Sequence, residues 1–301
     1  MEDRILNELS QFGRVETGRL LATMTTLRIG GPADYVVYPE NDIAVDSLIS
    51  FLDNEGIPYK LLGQGSDILC SDDPYHGVII RLDKNYNDAF FKQNILTAQA
   101  GCSIIALASE CMRRGLSGLE FASGIPGTLG GAVFMNAGAY RSDMAAIVKE
   151  VNIYRDRKVE WISNEECEFR YRHSIFQRHP DWIILAVRME LTPEDPKVIE
   201  ELMNDRRKRR FESQPLNYPS CGSVFRNPEG RNAWELIDGV GYRGRSIGGA
   251  KVSEKHCNFI VNTGNATAAD YLALVEEIQN AVFEKYGISL RTEMEKFNWT
   301  F

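Results

Sequence analysis

The sequence predicts a mixed α and β protein of two or three domains. Three observations carry this. The 301 residues exceed what one hydrophobic core usually serves. Residues 30 to 82 alternate apolar strands with a single helix, and further apolar runs between 148 and 191 have the length and residue types of strands in a sheet. A hydrophobic fraction of 44% with 25% charged residues argues against disorder and says nothing finer about class.

Taken in order, ADYVVYP reads as a strand, and DIAVDSLISFLDNEG as a helix with Ile43, Leu48, Ile49 and Leu52 at helical spacing. IPYKLL and GVIIRL then read as strands, making a β-α-β-β unit. Gly63 and Gly65 follow YKLL directly, where a backbone turn can offer N–H groups to an anion. After a polar break at Asp83 to Asp88 come a strand near ILTAQAG and a helix from Ser103, with Leu107, Ala108, Cys111 and Met112 on one face and Gly115 at its end. VKEVNIYR, KVEWI and WIILAVRMEL are strands, with YRHSIF between the second and third. Pro193 and Pro196 flank a charged turn near a domain boundary, followed by VIEELMNDRRKRRFESQP as an amphipathic helix or linker. The last segment holds CGSVFRNP, a glycine-dense loop (GVGYRGRSIGGA), the strand CNFIVN, and a helix over 268–286 whose Thr267 and Asp270 form a capping-box variant.

Charge and special residues narrow the function classes. A net charge of −8 argues against general binding to nucleic acid or an anionic membrane, both of which need an exposed basic face. The run from Arg206 to Arg210 is accordingly read as a solvated helix face near an anionic substrate rather than a nucleic-acid patch. No stretch approaches the roughly 18 apolar residues of a membrane span, and MEDRILNELS lacks the features of a secretory leader, so a cytoplasmic location is expected. The six cysteines show no CxxC spacing and read as reduced thiols, and the four histidines form no HExxH pattern, so no metal site is expected.

Residues 122–140, ASGIPGTLGGAVFMNAGAY, hold five glycines and four alanines without one charge. Ile125-Pro126-Gly127-Thr128 fits a type II turn, and Gly130-Gly131 and Ala137-Gly138-Ala139 let another surface come close to the backbone. That surface is either protein or ligand, since small residues also allow tight packing. The second small-residue turn, Gly63-Gln64-Gly65-Ser66-Asp67, favours a ligand: two such segments can clasp one diphosphate with backbone donors. The dinucleotide fingerprint is absent, since GQGSDI lacks its third glycine, and GRSIGGAKV carries Ala250 where a P-loop has lysine.

An ordered set of motifs resembles the UDP-N-acetylenolpyruvoylglucosamine reductase family over nearly the whole chain. It comprises TLRIGGPAD (26–34), LGQGSDIL (62–69), GLEFASGIPGTLGGAVFMNAGAY (118–140), YRHSIF (171–176), CGSVFRNP (221–228), GGAKVSEKHCNFIVN (248–262) and LRTEMEKF (290–297). The resemblance implies an α+β fold: two FAD-binding subdomains of the vanillyl-alcohol-oxidase (PCMH) type, over 1–84 and 85–204, and a substrate-binding domain over 205–293, with the residues near 294–301 returning to the first subdomain.

It also implies FAD as cofactor, NADPH as co-substrate and a UDP-sugar as substrate, in a monomer with no nucleic-acid or membrane partner. FAD would lie against Gly63, Gly65, Ser66 and Asp67 from one side, and against Gly124, Ile125, Pro126, Gly127, Gly130, Gly131, Asn136, Gly138 and Ala139 from the other. Arg172 would hold the substrate carboxylate, Ser223 would donate a proton, and Glu293 would stabilise the enolate with Arg172. Tyr171, Gln214, Arg226 and Asn227 would contact substrate. The chain departs from the family pattern at Arg291, which replaces a glutamate, and Glu295 offers a second carboxylate beside Glu293. The short connection after YRHSIF matches the branch without a tyrosine-bearing insertion. Two other readings remain open at this point: an FAD-dependent alcohol oxidase or dehydrogenase of the same fold, and a non-catalytic flavin-binding protein.

Overall fold

The computed structural model describes residues 2–82 and 85–299. Asp83 and Lys84 of the expected polar break, and Thr300 and Phe301 of the expected returning tail, lie outside the described residues. The chain divides into two interleaved units. The first takes the chain to Thr17, Tyr35–Gln64 and Gly77–Arg209; the second takes Gly18–Asp34, Gly65–His76 and Arg210 onward.

Helix α1 (Glu2–Leu9) leads into a four-stranded sheet ordered Gly13–Leu20, Pro32–Pro39, Tyr75–Ile80, Tyr59–Leu61, the last two strands parallel. Helix α2 (Asp42–Glu55) is the predicted one. Asn41 caps it by accepting the Ala44 N–H at 3.0 Å, and Gly56 ends it at φ 65°. Its buried side is Val45, Leu48, Ile49 and Leu52. Ile43 is instead 78% exposed: at the first turn of α2 it falls outside the stripe that the other four residues bury, so spacing alone misassigned it.

The first unit also carries a five-stranded antiparallel sheet, ordered Lys158–Ser163, Val148–Arg155, Ile183–Glu190, Ile95–Gln99, Ala89–Lys92. The three strands read from 148–191 are therefore neighbours in one sheet. Helix α3 (Ile104–Arg113) starts at Ser103, whose hydroxyl accepts the Ala106 N–H, and buries Leu107, Ala108 and Cys111.

The expected type II turn at 125–128 does not form. Gly127 sits at φ 158°, close to extended, and Ser103 and Thr128 form an antiparallel bridge in which Ile104 N–H donates to Gly127 O and Leu129 N–H to Cys102 O. Thr128 then caps a short helix, α4 (Leu129–Phe134), inside the glycine-rich stretch. The chain bends at Gly127, but Thr128 is tied to Ser103 instead of closing the hydrogen-bonded reversal that proline and glycine alone suggested. Helix α5 (Pro196–Ser213) follows, burying Ile199 and Met203, with Arg209 paired to Asp205 at 2.9 Å within its basic run.

In the second unit, α6 (Ala233–Gly239), a three-stranded sheet (Ser246–Ile247, Ala250–Val252, Ile260–Asn262) and α7 (Ala268–Tyr286) share a core built on Phe225, Leu236, Ile260, Leu274 and Ile278. The Thr267/Asp270 capping box is complete in both directions. Glu295–Lys296 pairs in parallel with Ile68–Leu69. No helix among the described residues is long and apolar enough to cross a membrane, and no cluster of metal-ligating side chains occurs among them. All six cysteines are buried and free; burial pushes the thiols of Cys70, Cys111, Cys167 and Cys221 up to about 12, and those of Cys102 and Cys257 to about 11.

Candidate functional site

In the first unit, the turn after YKLL meets the glycine-rich stretch. A Cβ at Gly63 would lie 2.5 Å from Thr128 Oγ1, so the two segments touch because residue 63 has no side chain. Thr128 is itself fixed, its hydroxyl accepting the Gly131 N–H at 3.3 Å as the cap of α4. Among the described residues, none accepts a hydrogen bond from the backbone N–H of Gly63, Gln64, Gly124, Gly127 or Thr128. Undonated N–H groups gathered on small residues are the chemistry that an anionic diphosphate requires, and the set fits the FAD expected there.

The glycines of this unit divide by role. A Cβ at Gly130 would meet Ala100 Cβ at 3.0 Å, and one at Gly138 would meet Asp143 Cβ at 2.6 Å, so these two make room for protein. Gly131 is exposed, and a Cβ there would meet only Thr128 Oγ1 at an ordinary 3.4 Å. Gly63→Ala is expected to cost about 1 kcal/mol, the worth of the Thr128 cap that it would displace, and to weaken FAD retention; thermal melting and FAD titration of the variant check both.

Arg172 stands at φ 53° on a two-residue tip between Arg170 and His173, which exchange backbone hydrogen bonds of 3.0 Å in both directions. A left-handed arginine is strained, and such strain persists only where neighbours impose it. Here the neighbour is Asn136. At 1% exposure, it donates to Arg170 O at 2.9 Å and Asp143 Oδ2 at 3.1 Å, and accepts the Ala145 N–H at 2.9 Å. Ser174 Oγ donates to Phe134 O at 2.6 Å on the other flank. Arg172 Nη2 then reaches Gly138 O at 2.9 Å, which brings three expected site residues, 136, 138 and 172, into one network; Ala139 lies in the same hairpin as Gly138. Tyr171, beside Arg172, is 54% exposed.

In the second unit, Ser223 lies between Gly222, at φ 83°, and Val224. A buried asparagine, Asn258, clamps this segment: its backbone O accepts Val224 N–H at 2.9 Å, its Oδ1 accepts Phe225 N–H at 3.0 Å and its Nδ2 donates to Phe225 O at 2.8 Å. Glu293 N–H donates to Val224 O at 2.8 Å, and Phe225 and Thr292 form an isolated antiparallel bridge, so the stretches carrying the expected acid and the expected carboxylate run side by side. Among the described residues, none hydrogen-bonds with the Ser223 hydroxyl.

Gln214 Oε1 and Arg226 Nε are buried without a hydrogen-bond partner, which leaves an acceptor and a donor for a ligand. Asn227 Oδ1 accepts the Ala233 N–H at 2.9 Å and so serves α6. Asp67 O accepts the Glu295 N–H at 2.9 Å, and the Asp67 charge adds to the burial that raises the Cys221 thiol and the Tyr271 phenol. Gly65, at φ 63°, and Ser66 donate no backbone hydrogen bond to any described residue.

Burial raises the Glu295 carboxyl, with the Arg226 charge opposing it. A folded-state pKa above the unfolded one means that protonated Glu295 favours the fold at low pH, and that this contribution disappears as pH rises through the folded value. Glu295→Gln is therefore expected to melt a few degrees higher than the parent at pH 8, an advantage that vanishes below pH about 4; melting curves across that range check the sign.

Sequence reasoning missed Thr128 and Asn258. The first carried a usable signal, a threonine directly before an apolar run, which is the N-cap pattern. The second lies in CNFIVN, read from the sequence as a strand throughout; the strand is only Ile260–Asn262 and Asn258 sits in the turn before it, with nothing local to say what it holds.

Known proteins match nearly the whole chain. The UDP-N-acetylenolpyruvoylglucosamine reductase of Anoxybacillus flavithermus is 42% identical over 296 residues, covering 97% of this chain and 98% of that protein. The chain belongs to the UDP-N-acetylenolpyruvoylglucosamine reductase family. The family's Bacillus subtilis member is 38% identical with the same coverage. The crystal structure of the reductase (MurB) from Thermus caldophilus matches with a TM-score of 0.82 at 35% identity, over 95% of this chain and 100% of that one. A family model described as the reductase's C-terminal domain matches residues 214–297, and one described as an FAD binding domain matches 33–156. The fold is thus the α+β combination of FAD-binding and reductase C-terminal domains that the motifs implied.

Proposed function

We propose that Arg172, Ser223 and Glu293 carry out the reduction of the enolpyruvyl ether of UDP-N-acetyl-3-O-(1-carboxyvinyl)-glucosamine to UDP-N-acetylmuramate. The chain is an FAD- and NADPH-dependent oxidoreductase of that reaction in peptidoglycan precursor synthesis; the observation that carries this is 42% identity across 97% of its length. FAD, when bound, supplies the hydride chemistry, taking hydride from NADPH and delivering it to the β-carbon of the enolpyruvyl group.

The protein's part is electrostatic and proton chemistry. Hydride addition puts negative charge on the α-carbon and, through it, on the substrate carboxylate. The Arg172 guanidinium takes that carboxylate in its planar fork, and Glu293 polarises the enolate with it. Ser223 Oγ–H donates the proton to the α-carbon; a hydroxyl is a weak acid, sufficient here because the carbanion is strongly basic. The absence of a described hydrogen-bond partner for Ser223 Oγ supports this role, since its proton is then committed to no acceptor among those residues. Tyr171, Asn227, Gln214 and Arg226 contact the sugar nucleotide, the buried unpartnered atoms of the last two meeting it.

We assign 1–84, with the tail near 294–301, and 85–204 as the two FAD subdomains and 205–293 as the substrate domain. FAD lies against Gly63, Gly65, Ser66 and Asp67 and against the 124–139 stretch in this reading. The protein is read as a cytoplasmic monomer without nucleic-acid or membrane partners, in keeping with its charge of −8 and with the pairing of Arg209, in the basic run of α5, to Asp205. Steady-state NADPH oxidation tests the reaction: it should depend on the enolpyruvyl sugar nucleotide and yield UDP-N-acetylmuramate, and oxidation indifferent to that substrate would contradict it.

A further inference from the structure

The second unit holds a cleft of about 220 Å³ lined by Arg28, Tyr218, Pro219, Asn262, Thr263 and Gly264, none of which the proposed reaction uses. We propose that it is a nucleoside-phosphate subsite, in which the Arg28 guanidinium holds the phosphate and the Tyr218 ring carries the base. The volume is below the roughly 300–1,000 Å³ of a complete small-molecule site, so it suits one end of a longer ligand.

The cleft is built around one buried asparagine. Asn262, 4% exposed, donates its backbone N–H to Pro219 O at 2.9 Å and its Nδ2 to Leu27 O and Arg28 O at 3.2 and 3.3 Å. Its Oδ1 accepts the N–H groups of Gly264 and Ala266 at 2.8 and 3.2 Å. Three separate segments are thereby fixed as walls. Arg28 is held at φ 57°, with its N–H donated to Thr25 Oγ1 at 3.2 Å, so a strained backbone presents an arginine where glycine would sit without cost. Among the described residues, none hydrogen-bonds or ion-pairs with its guanidinium, and no carboxylate lines the cleft. Tyr218 adds a ring that is 47% exposed. An uncompensated guanidinium beside an open aromatic face matches a phosphate ester joined to a planar base.

The proposed reaction supplies two sources of that chemistry, the uridine end of its substrate and the adenosine ends of its dinucleotides, and the inference rests on that reading only for this choice. Calorimetric titration of the full chain with UMP, AMP, uridine, adenosine and inorganic phosphate distinguishes them. One monophosphate is expected to bind about tenfold or more tighter than its nucleoside. Arg28→Gly should abolish that difference while melting at or above the parent temperature, because it relieves the backbone strain as it removes the cation. Tyr218→Ala should weaken the nucleotide and leave inorganic phosphate unchanged. Equal binding of both monophosphates by Arg28→Gly and the parent would overturn the subsite, as would a parent that prefers neither monophosphate to its nucleoside. The flavin spectrum separates the two ideas: a parent without flavin contradicts the reductase reading and leaves these titrations valid.

Discussion

Ser223→Ala is expected to keep its flavin spectrum and its bleaching by NADPH while turnover falls by about 10²–10⁴, the usual contribution of a positioned general acid. The split follows from where Ser223 sits. Its segment is held by backbone bonds to Asn258 and Glu293, in which the Ser223 side chain takes no part, so removing the hydroxyl leaves those bonds intact. The variant should therefore melt within about 0.5 kcal/mol of the parent, as substitutions away from packing features usually do. Rapid-mixing measurement of the two half-reactions reads the separation directly: flavin reduction unchanged, flavin reoxidation by substrate slowed. A variant slowed equally in both would place Ser223 in the binding of FAD rather than in proton transfer.

Asn136→Ala carries the largest expected stability effect, about 3–5 kcal/mol. The side chain makes three hydrogen bonds in a buried position, and truncation leaves Arg170 O, Asp143 Oδ2 and the Ala145 N–H without their partner, at about 1–3 kcal/mol for each group left unsatisfied. Alanine also keeps the cost of φ 43°, which asparagine tolerates better. Because Arg170 opens the turn that carries Arg172, the damage should reach catalysis: activity per folded molecule falls even at temperatures where the variant is fully native. Denaturant unfolding gives the first number and assays well below the melting point give the second. Asn136→Asp retains the acceptor for Ala145 N–H but turns a buried carboxylate oxygen toward Asp143 Oδ2 and Arg170 O, and should be no more stable than the alanine variant.

The legibility of this chain differs by the range of the interactions involved. Helices α2, α3 and α7 were readable because their signals are local: a periodic apolar stripe, a polar cap and a terminal glycine or capping box within a few residues. The strands at 148–191 were readable for the same reason. Helix α4 was not, because its glycines lower helical propensity and Pro126-Gly127 imitates a hydrogen-bonded turn, while the bridge that forms in its place comes from Ser103. The interleaving of the units was equally hidden, since bonds such as Ala268 N–H to Asp72 Oδ2 join residues 196 apart in sequence.

At the site, the pattern repeats. Arg172 and Ser223 were identifiable from motifs, and composition alone flagged the stretch at 124–131. What composition left undecided was why each glycine is there. Gly130 and Gly138 make room for Ala100 and Asp143, and Gly63 makes room for Thr128. The undonated N–H groups of Gly63, Gln64, Gly124, Gly127 and Thr128, which fit a diphosphate, appear only once the backbone pairing is known.

The most direct test follows the flavin of the purified chain without oxygen. NADPH should bleach it, and one equivalent of the enolpyruvyl sugar nucleotide should restore the oxidised spectrum with formation of UDP-N-acetylmuramate. A flavin that stays bleached after that addition, or a chain that takes up no flavin, would contradict the account.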